Sequence, residues 1–183
     1  MDNSKSMKSP NEELHEHWEL GHSTNDISIT EFEWSILRFM TAFERCIVQM
    51  SNMSGGHVLN VQEIILLHVV SMQKMPQTSS SLSRQLNRDD VANVQYTLRK
   101  LASINLIEKN KAKGGKLFTF DITAAGSQLV KEYSKVRELL LTEKTKFIDN
   151  VDQKLDDSRR VISFLTGVYD EVAREVPIYT SPK

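Results

Sequence analysis

The sequence predicts a mainly α fold with a small β-hairpin: a winged helix-turn-helix core flanked by long helices. Three observations predict it. Between residues 27 and 176, apolar side chains recur for most of the length at steps of three and four, the period of helices that bury one face. One short segment changes period, with Phe118, Phe120 and Ile122 alternating with Thr119, Asp121 and Thr123, as a strand does. The order between Ser79 and Thr123 is short helix, polar break at Asn87-Arg88, longer helix, hairpin.

Each element has a local reason. Residues 1–26 are polar, mixed in charge and poor in aliphatics, and read as a flexible N-terminal arm. A helix is expected over 27–53, with Thr30 as its cap and Glu33 three residues on, the capping-box spacing. Phe32, Ile36, Phe39, Met40, Phe43, Ile47 and Met50 recur along it, and Trp34, Leu37 and Val48 add apolar surface beyond one stripe. Gly55 and Gly56 end it. The compact unit is expected over 57–123. Asn60 and Glu63 form a second capping box ahead of VQEIILLHVVSMQ, whose His68 reads as a core or pocket-lining side chain. Pro76 and the following serines break the chain before the short helix SSSLSRQL. In the longer helix Val91, Val94, Leu98 and Leu101 share one face, while Ala92, Tyr96, Arg99 and Lys100 lie opposite, flanked by Asn93 and Gln95. Asn105 sits where that helix ends. Gly114-Gly115 permits the positive dihedrals of a tight hairpin turn. Thr123 can cap a helix from Ala124 to about Asn150, and a last helix follows Asp152 or Asp156 until Pro177 stops it. The apolar surface of the first and last helices exceeds what a small three-helix unit covers. The segments 27–53 and 124–176 are therefore expected to build a homodimer.

Charge marks the middle of the chain. From Arg84 to Lys116 eight basic residues accompany three acids, a local charge of +5 in a chain of net charge −1. A basic island in an acidic chain is the electrostatic footprint of a nucleic-acid surface. A short first helix crossing the backbone and a second entering the major groove is the helix-turn-helix geometry, and a basic hairpin beside it makes a wing. Candidate contacts to double-stranded DNA are Arg84, Arg88, Asn93, Gln95, Tyr96, Arg99, Lys100, Lys113 and Lys116. Asn and Gln can pair with adenine, Arg with guanine or phosphate. Lysines at the wing add sequence-independent affinity that falls with salt. Asp89 and Asp90 are assigned to capping the helix and complementing its dipole.

Other functions find little support. No nucleophile with a nearby base, paired carboxylates or metal motif stands out, so an enzyme is not expected. His15, His17 and His22 lack cysteine neighbours and a repeating spacing, so neither metal nor cofactor is read there. The Walker pattern is absent. No run approaches the ~20 apolar residues of a membrane span, and no signal peptide is visible at the N-terminus. A single cysteine, Cys46, rules out an internal disulfide and fits a cytoplasmic protein. Cys46 lies late in its helix among Phe43, Ile47 and Met50 and reads as structural rather than redox-sensing. The competing reading of the unit is a winged helix that docks on protein rather than DNA.

The pattern at Val94, Leu98, Leu101, Leu106 and Ile107, the order of elements and the junction DITAAG at Asp121 to Gly126 resemble the MarR (multiple-antibiotic-resistance regulator) family of winged-helix transcription factors. The resemblance spans roughly Thr30 to Val172. Asn105 stands where the family has glycine, and the wing tip KNKAKGGKLF has no arginine, leaving Lys113 or Lys116 to supply contacts there. The resemblance implies a dimeric regulator and a small-molecule effector bound between the dimerisation helices and the DNA-binding unit. Trp34, Phe43 and His68 are the side chains that could line such a site.

Overall fold

The computed structural model describes residues 20–111 and 117–180, with side chains through residue 176. It divides into two compact units, with the boundary after Tyr133.

The first unit opens with α1, Thr24–Ser54. This helix begins earlier than the sequence suggested. Ser23 is its cap: the hydroxyl accepts from the Asp26 N–H at 3.2 Å and donates to the Asp26 carboxylate at 2.8 Å. Thr30 lies inside the helix instead, and its hydroxyl donates to the Leu20 carbonyl at 3.1 Å. Ser23 and Asp26 carry the same spacing as Thr30 and Glu33, about two turns upstream, and no breaker intervenes. Only Ile47, Met50 and Ser51 of α1 are buried, which tie its C-terminal end to the core.

Next comes α2, Val61–Ser71, which opens on the expected capping box. Asn60 Oδ1 accepts from the Glu63 N–H and Glu63 Oε2 accepts from the Asn60 N–H, both at 3.0 Å. After it come β1 (Gln77–Thr78), α3 (Ser79–Gln85) and α4 (Val91–Ser103). Asn87, at φ 50°, makes the break between α3 and α4, and Asp90 caps α4 through the Asn93 N–H at 2.9 Å. Asn105, at φ 60°, takes the left-handed turn after α4 that asparagine tolerates. The chain then enters β2 (Ile107–Lys111) and returns in β3 (Phe118–Ile122). The sheet runs β1-β3-β2, antiparallel, with Ile107 opposite Ile122 and Lys109 opposite Phe120. The third strand, β1, was not foreseen: Gln77 and Thr78 pair with Phe120 and Thr119, but two polar residues carry no period of their own.

Between the helices and the sheet lies one core. Ile64, Leu67 and Val70 of α2 meet Leu82 of α3, Val94, Leu98 and Leu101 of α4, and Leu106, Ile107 and Phe120 of the hairpin, none more than 5% exposed. Thr123 joins the hairpin to α5, Ala124–Arg137: its hydroxyl accepts from the Gly126 N–H at 3.0 Å and lies 2.7 Å from the Asn105 carbonyl, to which it can donate.

In the second unit the helix expected to reach Asn150 does not. The chain passes from α5 into a π-helical turn, Glu138–Thr142, then a helical turn, Glu143–Thr145. Asn150, at φ 54°, breaks it before α6, Val151–Thr180. Nor does Pro177 end the last helix, whose backbone stays helical through Thr180. Proline's fixed φ is compatible with a helix and removes one donor. Among the described residues of α6 none is buried, and its apolar side chains reach 71% exposure at Phe164.

The arm before Leu20, with His15 and His17, and the wing tip with Lys113, Gly114, Gly115 and Lys116 lie outside the described residues. Among the described residues no helix is long and apolar enough to cross a membrane, and no cluster of His, Cys, Asp or Glu could hold a metal ion.

Candidate nucleic-acid interface

The helix α4 divides as its pattern demands. Val94, Leu98 and Leu101 are 2% exposed or less, and Thr97 joins them with its hydroxyl donating to the Asn93 carbonyl at 3.0 Å. Asn93, Gln95, Tyr96, Arg99 and Lys100 are exposed on the far side. Tyr96 in particular leaves 60% of its surface in solvent; an aromatic side chain held there by a rigid helix is available for contact rather than needed for packing.

Two of the expected cations have partners within the protein. The Lys100 ammonium lies 2.5 Å from Glu63 Oε1, whose side chain is 3% exposed. Hydrogen bonding to that carboxylate, then its charge, raises the Lys100 pKa above 10.5. With Asn60 on the other oxygen, Glu63 is a buried carboxylate satisfied from two sides, the condition for keeping a charge inside a fold. Lys100 therefore ties α4 to the start of α2. Similarly, the Arg88 guanidinium donates to Gln62 Oε1, while the Arg88 carbonyl accepts from the buried Ser83 hydroxyl at 2.5 Å. These bonds hold the turn between α3 and α4. Arg84 is exposed on α3.

The structure adds residues that the sequence reading left out. A groove of about 400 Å3 runs beside α4, lined by Thr78, Ser79 and Ser80, by Gln95 and Arg99, by Lys109, and by Leu117, Phe118 and Phe120. Gln95 reaches across to the Ser79 hydroxyl at 3.2 Å. Lys109 projects from the middle of β2, with its ammonium 3.7 Å from the centre of the Phe118 ring. It stands in the basic island, and its place two residues after Ile107 in a strand was the available signal that it shares a face with Phe118 and Phe120.

The side chains expected to line an effector site stand on two helices, Trp34 and Phe43 on α1 and His68 on α2. Trp34 and Phe43 lie on α1, 54% and 44% exposed, and Phe43 stacks on Phe39 with ring centroids 6.1 Å apart. His68 packs edge-on against Tyr133 at 4.4 Å. The cavity beside His68 and Tyr133 holds only about 10 Å3, room for one water at most.

Comparison with known proteins agrees with this architecture. A family model described as a winged helix DNA-binding domain matches residues 59–126. No curated protein sequence matches the chain closely enough to count as a relative. Among solved structures, a MarR family transcription regulator from Rhodococcus sp. RHA1 superposes with a TM-score of 0.61 at 13% identity, covering 78% of this chain and 96% of that one. The Mycobacterium tuberculosis regulator MosR, solved in complex with DNA, gives 0.59 at 15% identity, covering 76% and 96%. Staphylococcus aureus MepR, also in a DNA complex, gives 0.60 at 14% identity, covering 75% and 97%. The chain thus has the winged helix fold of MarR family transcription regulators.

Proposed function

We propose that this protein is a cytoplasmic, dimeric transcription regulator of the MarR type that binds double-stranded DNA, with α4 in the major groove. The observation that carries the reading is the outward face of α4. Asn93, Gln95, Tyr96 and Arg99 are exposed on a helix whose other face is locked into the core, and Lys109 of β2 lines the groove beside it. Hydrogen-bonding and cationic groups on a rigid helix are what base-edge readout requires. The DNA complexes of MosR and MepR support the same use of the fold. Lys113 and Lys116 at the wing would add backbone affinity, Arg84 a phosphate contact from α3.

The dimer rests on uncovered apolar surface. On α1, Leu37 (56%), Phe39 (64%) and Met40 (50%) face solvent; on α6, so do Leu155 (59%), Phe164 (71%) and Val172 (50%). Large apolar side chains left in solvent along each of these helices mark interaction surfaces, which a second copy of the same chain would cover self-complementarily. Effector binding belongs to the same reading: Trp34 and Phe43 would line a site completed by the second copy, beyond the small cavity at His68.

The test is selection of a duplex from a randomised pool, followed by binding measured against salt. We expect affinity to fall steeply as salt rises. Arg99→Ala should cost about 1–3 kcal/mol and relax preference at one base position per half-site if Arg99 reads a base, and weaken all sequences alike if it holds a phosphate. Failure of the full-length protein to bind any duplex at low salt would refute the reading and favour a winged helix that docks on protein.

A further inference from the structure

We propose that the groove beside α4 seats one phosphodiester of the DNA backbone, held between Lys109 and Arg99 with its deoxyribose against Phe118. The inference rests on the DNA-binding reading and deepens it, because it assigns a phosphate contact to Lys109, a side chain outside both the recognition helix and the wing tip.

Three features of the groove favour this occupant. The first is charge: among the described lining residues two are cations, none is an acid, and Thr78, Ser79, Ser80 and Gln95 supply hydroxyl and amide groups. The second is its floor. Leu117 and Phe118 leave 63% and 44% of their surface in solvent directly beside those cations, an arrangement suited to a ligand with one anionic and one apolar part, as a sugar-phosphate unit has. The third is continuity. Gln95 and Arg99 line the groove and also belong to the outward face of α4, so a strand whose bases meet α4 runs its backbone past the groove.

Lys109 is pre-positioned for the task. Its ammonium sits 3.7 Å over the Phe118 ring, an electrostatic attraction that restrains the charge without neutralising it. Lys100 contrasts with it, since its charge is met by Glu63. Ser79 is already oriented, accepting from Gln95 at 3.2 Å, which fixes the edge of the groove nearest α3.

The experiment uses the full-length protein and its selected duplex. Lys109→Gln should weaken binding to all sequences alike and reduce the slope of log affinity against log salt by about one unit per protomer, about two for the dimer. Lys109→Arg should restore the slope. Phe118→Leu should weaken binding about two- to fivefold, the contribution of a cation–π pair at an exposed site. Methylphosphonate linkages, placed as symmetric pairs with one in each half-site, should reveal one pair of positions at which neutralising the phosphates abolishes the difference between wild type and Lys109→Gln. Two results would overturn the proposal while leaving DNA binding intact: a wild-type salt slope for Lys109→Gln, or a Lys109→Gln defect that persists at every neutralised phosphate. If the wild type bound no duplex, both readings would fall together.

Discussion

Gly126→Ala should destabilise the protein, although alanine is the better helix former. Gly126 lies in the first turn of α5, where the helix passes over the residue that leads into β2. A Cβ there would stand 2.0 Å from the Leu106 carbonyl oxygen and 2.7 Å from Ile122 Cδ1. Ile122 can rotate away, but the Leu106 oxygen cannot. It is backbone, and it accepts from the Thr123 N–H at 3.2 Å and lies 3.0 Å from the Thr123 hydroxyl. Accommodating the methyl therefore means moving α5 off the hairpin. Overpacking against well-ordered neighbours costs about 1–3 kcal/mol or more; a clash with fixed backbone belongs at the upper end. Alanine returns about 1 kcal/mol of helix propensity. The net loss is about 2 kcal/mol, or a fall in Tm of roughly 4–8 °C for a chain of this length. Urea and thermal unfolding followed by circular dichroism measure it. An unchanged or higher midpoint would show that α5 does not press on Leu106 and that the glycine is replaceable.

Other substitutions probe separate parts. Because its partner carboxylate raises the Lys100 pKa above 10.5, the pair's stabilisation should be complete below the unfolded lysine pKa and lost as pH climbs through the raised folded value. The gap in urea midpoint between wild type and Lys100→Met should stay constant up to about pH 10 and shrink above it, and a gap that does not change in alkali would contradict the pairing. Phe39→Glu or Phe164→Glu, at side chains 64% and 71% exposed in the single chain, should leave helical content intact and convert the dimer to monomer by sedimentation analysis. A wild type that is monomeric at every concentration would rule the dimer out. Cys46→Ser should bind DNA as the wild type does and respond identically to mild peroxide; release of only the wild type by peroxide would make the thiol a switch.

Local chemistry made much of this protein legible in the sequence. The two faces of α4 are separated by a period of three and four, and burial follows it from Val94 to Leu101. The Asn60–Glu63 box, the Asp90 cap and the left-handed Asn105 depend on neighbours a few residues apart, so short stretches of sequence were enough to find them. Choosing between equivalent local signals was harder. Ser23–Asp26 and Thr30–Glu33 both satisfy a cap, and only the observed helix shows which one starts it. Pro177 and the π-helical turn at Glu138–Thr142 show the same limit, because a helix that tolerates a lost hydrogen bond leaves no sign of it in the periodicity.

What only the tertiary structure decided comes from contacts between residues far apart in the chain. The strand β1 exists because β3 offers it an edge. The sequence offers Lys100 only as a candidate DNA contact; folding brings it to Glu63, 37 positions earlier, where burial of that carboxylate demands a partner. Gly126 reads as a weak helix residue until Leu106 is seen beneath it. Lys109 and Arg99 share a groove because the hairpin folds back along α4. Charge composition alone thus located the basic island, whereas the fold determines which of its charges are engaged within the protein and which stand along the proposed path of a DNA strand.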